Sequence, residues 1–180
     1  MGAFFIGGKM KVCINAGHAP NGIPDPGAVG FGYKESDIAY KAAVLVKHYL
    51  TCAGVQCILV QDDDLQAICD ASNNFGADLF ISLHCNAFNG QARGTETLYK
   101  SFNGQRLANC IQSQIIRSVN TVDRGVKERQ NLYVLNATNA IAVLVEMAFI
   151  DNADDIKLLT EQLDTIARAI ARGATDFNVS

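Results

Sequence analysis

The chain has 180 residues, of which 49% are hydrophobic and 8% aromatic, with no Trp and a net charge of −3. That length suits a single domain, and the composition is that of a globular protein rather than a disordered chain. No run reaches the ~18 apolar residues of a spanning helix, and the mild acidity leaves no electrostatic footprint for nucleic acid or anionic lipid.

Residues 1–9 lack a basic n-region, and their apolar part is too short for a secretory leader. They read as an extension ahead of a domain covering 10–180. Residues 11–15 form a first apolar run, stopped by Ala16-Gly17, with His18 just beyond its carboxyl end. Segment 19–34 holds Pro20, Pro24 and Pro26 among four glycines and reads as a loop. From 35 to 53, Ile38, Ala42, Leu45, Val46, Tyr49, Leu50 and Ala53 recur at helical spacing, with Glu35 at the start and Gly54 at the stop. Residues 55–60 give a second strand, and Asp62-Asp63-Asp64 open a helix running to about 75.

The stretch 77–86 carries the most information. Leu79 to Leu83 are apolar except for Ser82 and too few for a helix, which predicts a strand covered on both faces, as in a parallel sheet. His84 stands at its carboxyl end. Further on, 95–99 alternates like an edge strand, 106–119 is an amphipathic helix, and 131–135 reads as a short strand. Residues 141–145 form another buried strand ending in Glu146, and 153–174 a last helix. This alternation predicts an α/β three-layer sandwich, with a mostly parallel central sheet of about six strands flanked by helices.

Parallel strands with right-handed crossovers bring their carboxyl ends to one edge, so His18, His84 and Glu146 are expected to converge there. Glu35 follows the first strand by one loop and can fold back over the same edge. Two imidazoles, a carboxylate and a spare carboxylate suit a catalytic zinc: three ligands, an open position for water, and an acid for proton transfer. Taken singly, each has a plainer reading. His84 and His18 can be ordinary polar residues, and Glu35 suits a helix start. Glu146 is harder to dismiss, because a carboxylate closing a buried strand is costly unless paired.

His48 lies off the apolar stripe and reads as solvated. Cys85 follows His84, but neighbouring strand residues face opposite ways, which argues against a shared site. The six cysteines, Cys13, Cys52, Cys57, Cys69, Cys85 and Cys110, form no Cys-x-x-Cys pair and read as free, mostly buried thiols of a protein made in a reducing compartment. There is no His-Glu-x-x-His motif and no tight glycine-rich phosphate loop.

Five ordered segments carry a resemblance: Asn15-Ala16-Gly17-His18; Asp25-Pro26-Gly27-Ala28 with Glu35; Ser82-Leu83-His84-Cys85-Asn86-Ala87; Arg124-Gly125-Val126-Lys127; and 143–152 around Glu146. Together, from about Met10 to Gly173, the sequence resembles the zinc-dependent N-acetylmuramoyl-L-alanine amidases of bacterial cell-wall lysis and phage endolysins. The resemblance implies one zinc ion bound by His18, Glu35 and His84, with Glu146 as catalytic acid/base. It implies peptidoglycan as partner, cut at the amide between N-acetylmuramic acid and L-alanine. Asn86 and Glu96 are candidate contacts to glycan or peptide. Ala19-Pro20 stand where the family often has two glycines, and Ile141 where it often has proline, which bears on loop shape.

Two other readings stay open at this stage: a zinc peptidase acting on stem peptides, and a non-catalytic, zinc-stabilised wall-binding module. The expectation is a monomer with no membrane insertion. It is made in the cytoplasm and acts on the wall like a phage or prophage lysin, or is secreted as part of a longer protein.

Overall fold

In a computed structural model, which describes residues 9–179, the elements follow the alternation expected. In chain order they are β1 (Lys11–Ala16), β2 (Val29–Gly30), β3 (Tyr33–Lys34), α1 (Glu35–Cys52), β4 (Gln56–Val60), α2 (Leu65–Phe75) and β5 (Leu79–Asn86). Then come β6 (Thr95–Tyr99), α3 (Phe102–Ser118), β7 (Asp123–Glu128), α4 (Tyr133–Ala137), β8 (Ile141–Phe149), α5 (Asp155–Glu161) and α6 (Leu163–Val179). The extension assigned to 1–9 lies, except for Lys9, outside the described residues.

Six strands form one sheet in the order β4-β1-β5-β8-β6-β7. The first four run parallel, β6 is antiparallel to β8, and β7 follows β6 in parallel. The three mainly apolar strands, β1, β5 and β8, occupy the middle, where both faces are covered and most side chains are buried. The chain leaves β1 outward to β4 through α1, then crosses back to β5 through α2. The order therefore reverses between β1 and β5, and connections diverge from that point to open a crevice at the carboxyl edge.

Strand alternation sorts the core into two layers. Val12, Ile14, Leu79, Ile81, Leu83, Val143 and Val145 pack against α1, α3 and α6. On the other face, Cys13, Phe80, Leu98 and Leu144 pack against Ile68 and Cys69 of α2 and Val134 and Leu135 of α4. Three long helices cover the first face. Among the described residues, the only helices covering the second are eleven-residue α2 and five-residue α4. On that second face a cavity of about 280 Å³ lies between α2, α4 and the carboxyl edge of the sheet.

Several sequence expectations need correction. Residues 131–135 contribute to helix α4, not a strand; a five-residue apolar run does not distinguish the two. Segment 19–34 is not structureless: it contains a 3-10 turn at Pro20–Gly22 and the β2-β3 hairpin. Strand β6 is internal rather than an edge, because β7 pairs with it. The helix expected at 153–174 is two helices, α5 and α6, and α3 begins at Phe102 rather than 106. Strands β5 and β8 also run two and three residues past His84 and Glu146. All six cysteines are free, with Cys13, Cys69 and Cys85 buried, and His48 is exposed.

Candidate metal centre

The crevice at the β1/β5 reversal gathers three of the sequence-nominated residues. Metal-ligating atoms of His18, Glu35 and His84 all lie within 4.8 Å of one another. Glu35, the first residue of α1, is only 4% exposed and spans the two histidines. Its Oε2 faces His18 Nε2 at 3.0 Å and accepts from Ala28 N at 2.9 Å. Its Oε1 faces His84 Nδ1 at 2.9 Å and accepts from Cys85 N at 2.9 Å. Each carboxylate oxygen thus meets one imidazole and one backbone donor.

Local structure explains the placement. Backbone bonds from Glu35 N to Ala28 O and Ser36 N to Pro26 O pin the proline-rich loop to the start of α1. His18 adopts a left-handed backbone, φ 64°, a conformation that costs a non-glycine residue on the order of 1–3 kcal/mol. On its far side, His18 Nδ1 meets Asp25 Oδ2 at 2.6 Å, the carboxylate–histidine arrangement that orients metal ligands. Close to the rings, two glycines leave the necessary space. A Cβ on Gly17 would stand 2.3 Å from His84 Cε1, and one on Gly27 2.4 Å from His18 Cδ2.

Glu146 completes the corner. It pairs directly with His84 across β5 and β8, so the two side chains leave the sheet on one face. The residue is half-buried, yet among the described residues its buried Oε2 has no hydrogen-bond partner. Burial pushes its pKa up to about 7, repulsion from Glu35 and Glu96 adds to this, and His84 opposes it. Cys85 points the other way, into the α1-side core, and burial raises its thiol pKa well above the ordinary value. Its contribution to the corner is its backbone N–H.

The remaining candidates sit differently. Asn86 is half-buried, its Oδ1 accepts from Ala87 N and its backbone carbonyl from Ile150 N. Glu96 is 5% exposed and engaged by Arg124 and Lys127. Asp25, absent from the sequence-nominated set, belongs to the site through His18; its place in the Asp25-Pro26-Gly27 segment is the signal that marked it. A cavity of about 280 Å³ adjoins the cluster, lined by His18, His84, Asp62, Asp63, Leu65 and Tyr133 among others.

The donor set suits zinc. Two imidazoles and a carboxylate, each able to offer one ligand atom within 4.8 Å of the others, are the mixed N/O donor set that zinc takes. Without metal, burial lowers the His18 pKa, but bonds to Glu35 and Asp25 outweigh it and carry it up to about 9. A metal takes neutral imidazole, so binding of a metal ion at His18 would release about one proton near pH 7.5, about half a proton at pH 9, and progressively less above that. Calorimetry in buffers of different ionisation enthalpy reads this directly; zero release at pH 7.5 would contradict it.

Over residues 12–176 the sequence matches the family described as N-acetylmuramoyl-L-alanine amidase. The chain belongs to that family. It is 38% identical over 183 residues to YqiI of Bacillus subtilis (strain 168), spanning 96% of this chain and 86% of YqiI. It is 34% identical over 177 residues to the N-acetylmuramoyl-L-alanine amidase LytC of the same organism, spanning 92% of this chain but 35% of LytC. The solved structure of the N-acetylmuramoyl-L-alanine amidase AmiC2 of Nostoc punctiforme superposes with a TM-score of 0.88 at 28% identity, over 96% of this chain and 99% of that one. This peptidoglycan amidase therefore has the α/β fold of its structural relatives. Among its described residues, no helix is long and apolar enough to cross a membrane.

Proposed function

We propose that the chain is a zinc-dependent amidase that hydrolyses the amide joining N-acetylmuramic acid to the L-alanine of the peptidoglycan stem peptide. His18, Glu35 and His84 would hold the ion, and Glu146 would act as general acid/base. The observation that carries this reading is the Glu146 carboxylate, its Oε2 buried and unpartnered beside an already complete three-ligand set. A purely structural metal site has no use for such a group.

Bound zinc would supply a Lewis acid that polarises the amide carbonyl and brings the pKa of water toward ~7. The chain's own residues do the rest. Asp25 fixes the His18 ring, and the Ala28 and Cys85 N–H groups hold Glu35 as a carboxylate. The Glu146 carboxylate accepts a proton from the attacking water and returns it to the alanine nitrogen, which must be protonated to leave. Asn86, two residues beyond His84 on the same strand face, is the candidate contact to glycan or peptide.

Digestion of purified peptidoglycan tests the assignment. The zinc-loaded protein is expected to release intact stem peptides with a free alanine N-terminus, and a chelator to stop release until zinc is restored. Shortened peptides would instead make the protein a stem-peptide peptidase. Binding to sacculi without soluble fragments would make it a wall-binding module.

A further inference from the structure

The same face of the sheet continues past Glu146 to β6 and β7. Glu96 on β6 is the direct antiparallel partner of Glu146, so its carboxylate rises on the same side of the sheet. One oxygen, Glu96 Oε2, accepts from both Arg124 Nε, at 2.7 Å, and Lys127 Nζ, two residues of β7. The Arg124 guanidinium also lies over the Phe149 ring, 4.9 Å from its centroid. Holding a buried carboxylate in the charged state takes one cation; here there are two. Together they offer eight N–H donors, of which two are committed to Glu96. Both side chains remain about one-third exposed. The result is a positively charged, partly exposed ledge on the second strand beyond the residue proposed to move protons, reaching back to Glu96 on the strand between.

We propose that Arg124 and Lys127 form a carboxylate-binding subsite for the second residue of the stem peptide, with Glu96 as its positioning residue; the substrate class rests on the amidase reading above. Spacing supports the choice of residue. Adjacent strands lie about 4.8 Å apart, which puts the ledge ~5–10 Å from Glu146. An extended chain advances ~3.3–3.6 Å per residue, so a carboxylate on the second residue lies ~7 Å from the scissile nitrogen. A guanidinium and an ammonium side by side match an anion with two acceptor oxygens. Glu96 sets their separation and holds them off Glu146, whose carboxylate would otherwise compete for them.

N-acetylmuramoyl dipeptides carrying either a free carboxylate or a carboxamide on the second residue test the subsite. The wild-type protein is expected to favour the acid by about tenfold in kcat/KM, mostly through KM. Arg124→Gln and Lys127→Met should bring that ratio near one. Glu96→Ala should do the same, and Glu96→Asp should restore part of the preference, a pattern that simple destabilisation would not produce. Calorimetric binding of the two free dipeptides reads the subsite without turnover. If neither substrate is cleaved but the acid dipeptide still binds tighter, the amidase reading fails and the subsite stands. Equal binding of acid and amide by wild type, or an undiminished preference in Arg124→Gln and Lys127→Met, overturns it.

Discussion

Glu146→Gln is expected to lower kcat on peptidoglycan by about 10²–10⁴, the usual contribution of a positioned general acid/base, with one zinc per chain still bound. Glutamine keeps the shape and removes only the proton-carrying function. Burial already holds the Glu146 carboxyl near 7 without metal, so its base form fills as pH rises through that value. A neighbouring dication favours the carboxylate and moves the limb lower. The wild-type rate should therefore rise with pH below neutrality, and the residual rate of Glu146→Gln should lack that limb. Steady-state kinetics with metal analysis on the same samples decides it; near-normal kcat in the variant would remove Glu146 from the chemistry.

Glu35→Ala carries the second large effect, on metal retention and stability together. Among the described residues its carboxylate is the one group that meets both histidines, and it accepts the Ala28 and Cys85 N–H groups. Removing it leaves two backbone donors without an acceptor and two imidazoles facing a gap. Zinc should be lost on dialysis, and the metal-free variant should unfold with about 3–5 kcal/mol less free energy than the metal-free wild type. Burial works against ionisation of Glu35, but the two histidines outweigh it and hold its pKa well below the ordinary 4.5. Its contribution is therefore present above pH 4.5 and lost as pH falls. The gap between variant and wild type in urea titrations should narrow in acid; a gap that does not change with pH would refute the electrostatic account.

The central strands were legible because continuous burial leaves little choice of residue: Val12 to Ile14, Leu79 to Leu83 and Ala142 to Val145 allow almost nothing polar. Once those runs are parallel, topology alone carries His18, His84 and Glu146 to one edge. Glu35 was harder to read, since an acid at a helix start is favoured by the macrodipole whatever else it does; the five-segment resemblance singled it out. Strand β7 gave no periodic signal, because Asp123, Arg124, Lys127 and Glu128 are polar and Gly125 has φ 76°. Its pairing partner β6 consequently looked like an edge. The Glu96 ion pairs were invisible for the same reason, since they depend on a neighbour strand that local pattern does not reveal. Helix α4 failed differently: Tyr133-Val134-Leu135 suits a strand as well as a helix, and tertiary packing against α2 decides.

The uneven helix cover of the sheet bears on how a solid can be a substrate. Cross-linked wall offers no free end to thread into a tunnel, and a deep pocket would admit only fragments already cut loose. Here α2 and α4 cover one end of the second face, and His84, Glu146 and Glu96 stand side by side on three neighbouring strands beyond them, with His84 and Glu146 partly exposed. On the amidase reading, such a sheet edge would take a strand of polymer laid across it, so that bonds could be cut one at a time without first dismantling the wall.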